Sequence, residues 1–460
     1  LLLEDGTAKI VDCLDRGESV VVPEMVDGVQ VSTIGERAFG KCFNATRIEL
    51  PGNLTTVESN AFENCFVLEE VSVVQGSAAE AALREMGLNV VCRPGPEQFY
   101  GYTVRSDGTA VILYYSGQDT ELIIPAALNG YPVSGIGDKA FSDNKSLSRV
   151  VLPDTVTRIG YAAFDGCIAL TEIVLSRRLE RIDRYAFESC ALRSIHLPAS
   201  LTTIGEGAFA GYGTLAEITV EPGCEAFAVM DGALVRVADM TLLLYPAARE
   251  AREYTTPQGI VAIGEEAFRF NGKLERLTIG EGVRTVGSLA IDDMPNLKSI
   301  SLPASLEKMD IGSCPALKEI GVAQGNPMFA VMNDALVNTR AMELLCVPAA
   351  RINGEYTVPD GIRSIGDSSF ASTGLRNVSL PAGLKQIGNR AFEECSGFSG
   401  QLVIPDSVTS IGSYAFQNCT LLSEIDLGTS LKTINGYAFS GCAALGAINL
   451  PESLTTIESY

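Results

Sequence analysis

The chain has 460 residues, with 34 Lys and Arg against 56 Asp and Glu, for a formal charge of −22. That balance excludes nucleic acid, whose phosphates are bound by neutralising them with Lys and Arg, and argues equally against docking on an anionic membrane surface. Hydrophobic residues make up 46% of the chain, ample for a core, so bulk disorder is excluded as well. No run of 18 apolar residues occurs, so no membrane-crossing helix is expected. The sequence opens at Leu1 without a leader-like region and stops at Tyr460 inside a recurring motif, so it reads as a piece of something longer.

Taken in chain order, the first element is an alternating apolar stretch around Asp5-Gly6, which predicts a β-hairpin. It leads into a repeat. The apolar residue of Ile34-Gly35 has equivalents at Val57, Ile136, Ile159, Ile182, Ile204, Ile263, Val286, Met309, Ile365, Ile387, Ile411, Ile434 and Ile457, spaced 22 to 24 residues apart within each run. One convincing helix follows the first run, with Ser77 as N-cap and Gly87 beyond its C-terminus; such a helix suits the capping of an exposed repeat face. Pro94-Gly95-Pro96-Glu97-Gln98 then reads as a linker. The chain next starts again: Asp5-Gly6-Thr7-Ala8 returns as Asp107-Gly108-Thr109-Ala110, an offset of 102 that also carries Phe39 to Phe141. This divides the chain near residue 97, into a short repeat unit (1–97) with an N-terminal hairpin and a C-terminal capping helix, and a long solenoid (98–460). Two insertions, near 224–258 and 324–359, resemble each other from Val229 and Val331 onward. Each reads as a pair of strands projecting from the solenoid edge and returning at Pro257 or Pro359.

The repeat explains itself physically. In Glu172-Ile173-Val174-Leu175, Ile and Leu alternate with outward side chains, which is strand periodicity. Pro often follows, as at Pro153 and Pro198, and ends the strand because it cannot donate to a ladder. A second apolar pair such as Leu179 and Ile182 comes next, then an Ala-Phe step such as Ala186-Phe187. One turn can bury these side chains only against the next, so turns must stack into a parallel-stranded solenoid. The step's Phe accounts for 11 of the chain's 18, with Ile291 and Ile311 replacing it in two units. Eight of the 12 cysteines fall three residues after the Phe or its substitute, and Asn144 and Asn271 take the same slot elsewhere. A side chain there can satisfy backbone groups of its own turn. With no C-x-x-C spacing and one His, these are expected to be buried free thiols, neither zinc ligands nor a disulfide framework.

The unit L-x-x-I-x-L-P-x-x-L-x-x-I-G-x-x-A-F-x-x-C resembles the BspA-like bacterial leucine-rich repeat of the 23-residue type, over nearly the whole chain. The resemblance implies a β-rich solenoid: a right-handed leucine-rich repeat superhelix with a parallel β-sheet, short 3-10 and turn segments, β-hairpin insertions and one capping helix. It also implies a secreted or cell-surface protein, adhesin-like, whose partner is a host matrix, host-cell or microbial surface protein. The family's Ala-Phe step is lost at Leu289-Ala290-Ile291 and Met309-Asp310-Ile311, where irregular stacking is expected.

No nucleophile elbow, phosphate loop, dinucleotide fingerprint or zinc-protease motif occurs, and no Asp-Gly step has calcium-loop spacing. We therefore expect no enzyme, no cofactor and no metal. The exposed strand positions form the expected recognition surface, and Arg149, Glu172, His196, Glu217 and Arg276 are its candidate ligand contacts. Those rows hold no aromatic residue; Tyr161, Tyr185, Tyr414 and Tyr437 recur instead beside the Ala-Phe step, where a second binding face is conceivable. The expectation is a monomeric, non-enzymatic binding protein with no membrane insertion. The alternative is a spacer that presents another domain.

Overall fold

A computed structural model describes residues 1–459 apart from 75, 76, 94, 95, 212, 353 and 400. The chain forms two compact units, Leu1–Gly101 and Tyr102–Tyr460. Both are β-solenoids, and each turn adds one rung to three walls.

The first wall is a parallel sheet of three- to five-residue strands. In the short unit Ser19–Val21, Arg47–Glu49, Glu70–Val74 and Val90–Arg93 pair in that order. In the long unit Glu121–Ile123, Arg149–Val151 and Glu172–Val174 do the same, with Leu122, Val150 and Ile173 side by side and buried. The alternation read from sequence sets this: the central apolar residue points inward and its neighbours outward.

The second wall is a ladder that the two-residue apolar pairs did not reveal as a sheet. Ile136, Ile159, Ile182 and Ile204 stand in register on parallel strands, and Ile365, Ile387, Ile411, Ile434 and Ile457 repeat the arrangement. The Gly after the Ile follows from closeness of approach. A Cβ on Gly412 would lie 2.5 Å from the backbone nitrogen of Asn389, one turn earlier.

The third wall is the loop around the Ala-Phe step. The residue before Ala is left-handed in most turns, with φ of 54° at Arg37, 57° at Tyr185 and 60° at Tyr414. This turns the chain so that in regular turns the Phe N–H meets the carbonyl of the next turn's Ala, as from Phe164 to Ala186 and from Phe416 to Ala438, both at 2.8 Å. The Phe rings stack behind this ladder. Phe370, Phe392, Phe416 and Phe439 lie 4.8, 5.1 and 5.3 Å apart with ring planes within 12° of parallel. Every cysteine is a free thiol, and those of the repeat slot do not serve their own turn as the sequence suggested. Cys167, Cys190, Cys395, Cys419 and Cys442 each donate, at 3.1 Å, to the Phe carbonyl one turn back. Asn144 and Asn271 do serve their own turn, accepting from the N–H groups two and three residues on.

Among the described residues there is one α-helix, Ala78–Glu85, capped by Ser77, whose hydroxyl accepts from Glu80 N–H at 3.3 Å. Ala79 and Leu83 bury its inner face. Pro94 and Gly95 of the expected linker lie outside the described residues, and Pro96–Phe99 is a 3-10 turn. The insertions differ from the expected projecting pair of strands. Each has three: Phe227–Met230, Ala233–Arg236 and Thr241–Leu244 are successively antiparallel, and the third pairs in parallel with Ala262–Ile263 of the next turn. Phe329–Met332, Ala335–Asn338 and Glu343–Cys346 copy this before Ser364–Ile365. The insertions therefore continue the second wall.

Candidate functional site

Four of the five candidate residues lie on neighbouring strands of the first wall of the long unit, Arg149 and Glu172 on a three-stranded sheet and His196 and Glu217 on the two-stranded sheet next to it. Arg149 and Glu172 open neighbouring strands in register, and Arg149 Nε donates to Glu172 Oε1 at 3.0 Å. Both side chains are well exposed, so the pair stabilises the fold by only about 0–1 kcal/mol and remains available to a ligand. The strand Ser194–Leu197 adjoins Glu172–Val174 and carries His196, which points outward between buried Ile195 and Leu197. Its Nδ1 lies 2.9 Å from Thr219 Oγ1 on the next strand, Glu217–Val220, where Glu217 stands opposite Ser194. The ring bonds to the Thr219 hydroxyl, and no ion pair ties it to a carboxylate among the described residues.

Arg276 is set apart. The first insertion intervenes, and Arg276 belongs to the separate sheet of Glu253–Thr255, Arg276–Thr278, Ser299–Leu302 and Glu319–Val322. There its Nη1 lies 3.1 Å from Glu253 Oε1. Beside it Glu275 receives Lys298 at 2.6 Å and Arg252 at 2.8 Å, and the Lys298 hydrogen bond above all holds the Glu275 carboxyl below the ordinary range.

The outward strand positions Val151 and Val174, legible in the sequence, gain a third member, Ile123, and form an apolar row. Ile123, Val151 and Val174 stand in register on the outward side of three neighbouring strands, with Ile123 37% and Val174 39% exposed. Ile123 was missed because its strand precedes the first full repeat of the long unit. The offset of 102 residues, which places Val21 at the same point of the short unit, was the signal that could have found it. The row leads directly to His196 and is edged by Glu121, Arg149 and Glu172.

The Tyr residues beside the Ala-Phe step form pairs. Tyr414 and Tyr437 stack at 4.8 Å with Arg390 over the outer face of Tyr414, and Tyr161 meets Tyr185 edge-on at 6.0 Å. Cavities accompany both insertions. One of about 100 Å³ lies beside the first, between the loop Gly205–Ala210 and Gly264–Glu266. One of about 400 Å³ lies beside the second, where the turns that lost the Ala-Phe step bring Asp292, Asp293 and Asp310 opposite Asp367, Arg390 and Glu393. Among the described residues no group of three or more His, Cys, Asp or Glu could hold a metal ion, and no helix is long and apolar enough to cross a membrane.

Three stacked walls built from a 23-residue unit define a leucine-rich repeat solenoid. The chain belongs to the BspA type leucine-rich repeat family, whose profile matches six copies over residues 19–80, 134–229, 247–326 and 353–460. Solved structures similar to it are bacterial leucine-rich repeat proteins. A leucine-rich cell surface protein of Faecalibacterium prausnitzii is 21% identical, over all of this chain and 92% of that one, with a TM-score of 0.38. The pneumococcal vaccine antigen PcpA is 18% identical over 94% and 92%, with a TM-score of 0.39. A leucine-rich repeat protein of Bacteroides capillosus is 35% identical over 27% of this chain and 94% of that one, with a TM-score of 0.25. None of the curated proteins compared matches the chain.

Proposed function

We propose that the chain is a non-enzymatic, adhesin-like binding protein of the cell surface or the extracellular space. It acts as a monomer and takes a protein ligand on the first wall of the long unit, between Ile123 and Thr219. The division near residue 97 into a short and a long repeat domain belongs to the same reading. The observation that carries it is the Ile123–Val151–Val174 row, two exposed β-branched side chains flanking a half-buried one on a parallel sheet. Burying such a row is worth about 25 cal/mol per Å² of apolar surface, and a preordered sheet loses little entropy on binding. Arg149, Glu172, His196 and Glu217 supply the polar rim that fixes register, while Arg276, on its separate sheet, contributes charge to a longer footprint. Host matrix proteins and microbial or host-cell surface proteins are the partners of this kind. The test is capture of such proteins from purified panels and surface extracts, by the wild type and by Val151→Asp/Val174→Asp and Arg149→Glu/Glu172→Lys variants. Capture that survives both sets of changes removes this face as the binding site.

A further inference from the structure

In a regular turn the Phe of the third wall comes five residues after the Ile of the second, as Phe268 follows Ile263. The first insertion closes the same circuit in three. Leu242 stands in register with Ile263, and Tyr245 takes the Phe place: its N–H donates to Ala267 O at 2.8 Å and its ring lies 5.5 Å from Phe268. The rung is present but two residues short. The second insertion does the same, with Leu344 in register with Ile365 and Val347 N–H donating to Ser369 O at 2.9 Å. A cavity lies at each shortened rung, of about 100 Å³ at the first and about 400 Å³ at the second.

The first cavity has an apolar wall and a carboxylate end. Leu234, Leu243, Leu244 and Phe209 form the wall, and Ile204 is half-buried there, whereas Ile159 and Ile182 of the same ladder are fully buried. At the other end Glu206 and Glu265 come from the turns on either side of the short rung, with Glu266 beside them. Burial first, then the charge of Glu206, raises the Glu265 carboxyl. Glu266 is only 8% exposed. Its Oε1 accepts from Arg269 at 2.7 Å, but its Oε2 has no hydrogen-bond partner among the described residues. That oxygen faces the cavity-lining Gly207, on which a Cβ would lie 2.9 Å from it. The neighbouring arginines are engaged elsewhere: Arg269 is shared with Asp292 and Asp293, Arg184 meets Glu206 at 3.1 Å, and Arg236 donates to Asp239 at 3.0 and 2.8 Å. A buried carboxylate oxygen without a donor is costly, so the cavity lacks one cationic donor.

We propose that the cavity at the first shortened rung binds a primary alkylammonium group, whose N–H donors meet Glu266 Oε2 and Glu206 while its hydrocarbon chain lies against Leu234, Leu243 and Leu244. An ammonium carries three donors and no acceptor, which suits a site of carboxylate oxygens alone. Benzene, with six carbons, fills an engineered cavity of about 150 Å³ in another protein, so about 100 Å³ holds roughly four non-hydrogen atoms, the size of a short alkylamine. A hydrated metal ion fits poorly, because the wall is apolar and the carboxylates do not converge as a ligand set among the described residues. The second cavity repeats the arrangement, with Asp310 and Asp367 drawn from the turns on either side of its short rung. The ammonium can belong to a free amine or to the lysine side chain of a protein. The site is separate from the strand face proposed above and does not rest on it.

The experiment is a titration of the whole chain, isotopically labelled at its leucine methyl groups, followed by NMR at pH 7. The Leu234, Leu243 and Leu244 signals are expected to shift saturably with n-butylamine and not with butan-1-ol, its neutral counterpart of the same size. Glu266→Gln is expected to weaken binding at least tenfold, since it removes a charged hydrogen bond. Glu206→Gln, at an exposed position that the core does not depend on, is expected to weaken it about threefold, and it decides the matter if Glu266→Gln does not fold. Nα-acetyl-lysine methylamide separates the two sources: affinity equal to that of butylamine assigns the site to a protein's lysine, and weaker binding assigns it to free amines. Shifts that grow linearly with amine, an equal response to butan-1-ol, or unchanged affinity in either variant overturns the proposal.

Discussion

Cys419 Sγ lies 3.1 Å from the carbonyl oxygen of Phe392, one full turn earlier, and donates its thiol proton to it. The slot thus links turns: Phe392 N–H bonds forward to Ala415 O at 2.7 Å while its carbonyl is served from the turn ahead. Replacing Cys419 by Ala removes this bond and leaves the Phe392 carbonyl only the longer bond from Cys395 N–H at 3.3 Å, a loss of about 0.5–1.5 kcal/mol. Cys419→Ala is therefore expected to lower the urea midpoint of the long unit, whereas Cys224→Ala, half-buried in the same unit and outside the repeat slot, lowers it less.

Burial also sets thiol reactivity. It pushes the Cys395 thiol up to about 11 and the Cys346 thiol up to about 12, so at pH 8 neither holds appreciable thiolate, the reactive form. An aromatic disulfide reagent at pH 8 is expected to leave Cys395 and Cys346 unmodified in the native chain and to titrate all 12 cysteines in denaturant. Rapid native labelling of Cys395 would contradict the packing described.

Phe392 has rings on both faces, at 4.8 and 5.1 Å, and is fully buried. Phe392→Ala is expected to cost about 3–5 kcal/mol, as for a well-packed aromatic residue that leaves a cavity. Phe209→Ala, at the open end of its stack, removes one ring contact and a half-buried side chain, so its effect is smaller. Midpoints of chemical unfolding for the two variants, side by side, read the difference.

Glu343 lies on the second insertion near Asp367 and Asp310, and burial first, then those charges, raises its carboxyl above the ordinary 4.5. A carboxyl raised in the folded state binds its proton more tightly there than in the unfolded chain. Its ionisation therefore destabilises the fold above the raised value, and the penalty is relieved as pH falls through that value, fully so only below 4.5. Glu343→Gln is expected to raise the thermal midpoint at pH 7 and to make no difference, or lower it, at pH 4. An equal effect at both pH values would show that packing, not charge, dominates.

The period of 23, the Ala-Phe step and the thiol slot were legible because each turn meets the same surroundings and so repeats the same chemistry. Ser77 and Gly87 marked the helix for a local reason, the capping of its own ends. Relations between turns were hidden. Arg149 and Glu172 are 23 residues apart in sequence yet bonded, while Glu217 and Arg276 look like successive members of one row and lie on separate sheets. The third strand of each insertion was unreadable because Thr241–Leu244 pairs with Ala262–Ile263, a choice that only the stacked neighbour dictates.

Forward bonds from the Phe N–H and backward bonds from the thiol make every regular turn the template for both of its neighbours. Growth or shortening by one whole turn then leaves all surviving bonds with partners of the right kind, whereas a change of a few residues inside a turn strands a donor on one side and an acceptor on the other. Descendants of such a gene can slip in length by multiples of about 23 residues and keep folding. The length of the solenoid can change across a population by single turns while the chemistry of its faces stays the same.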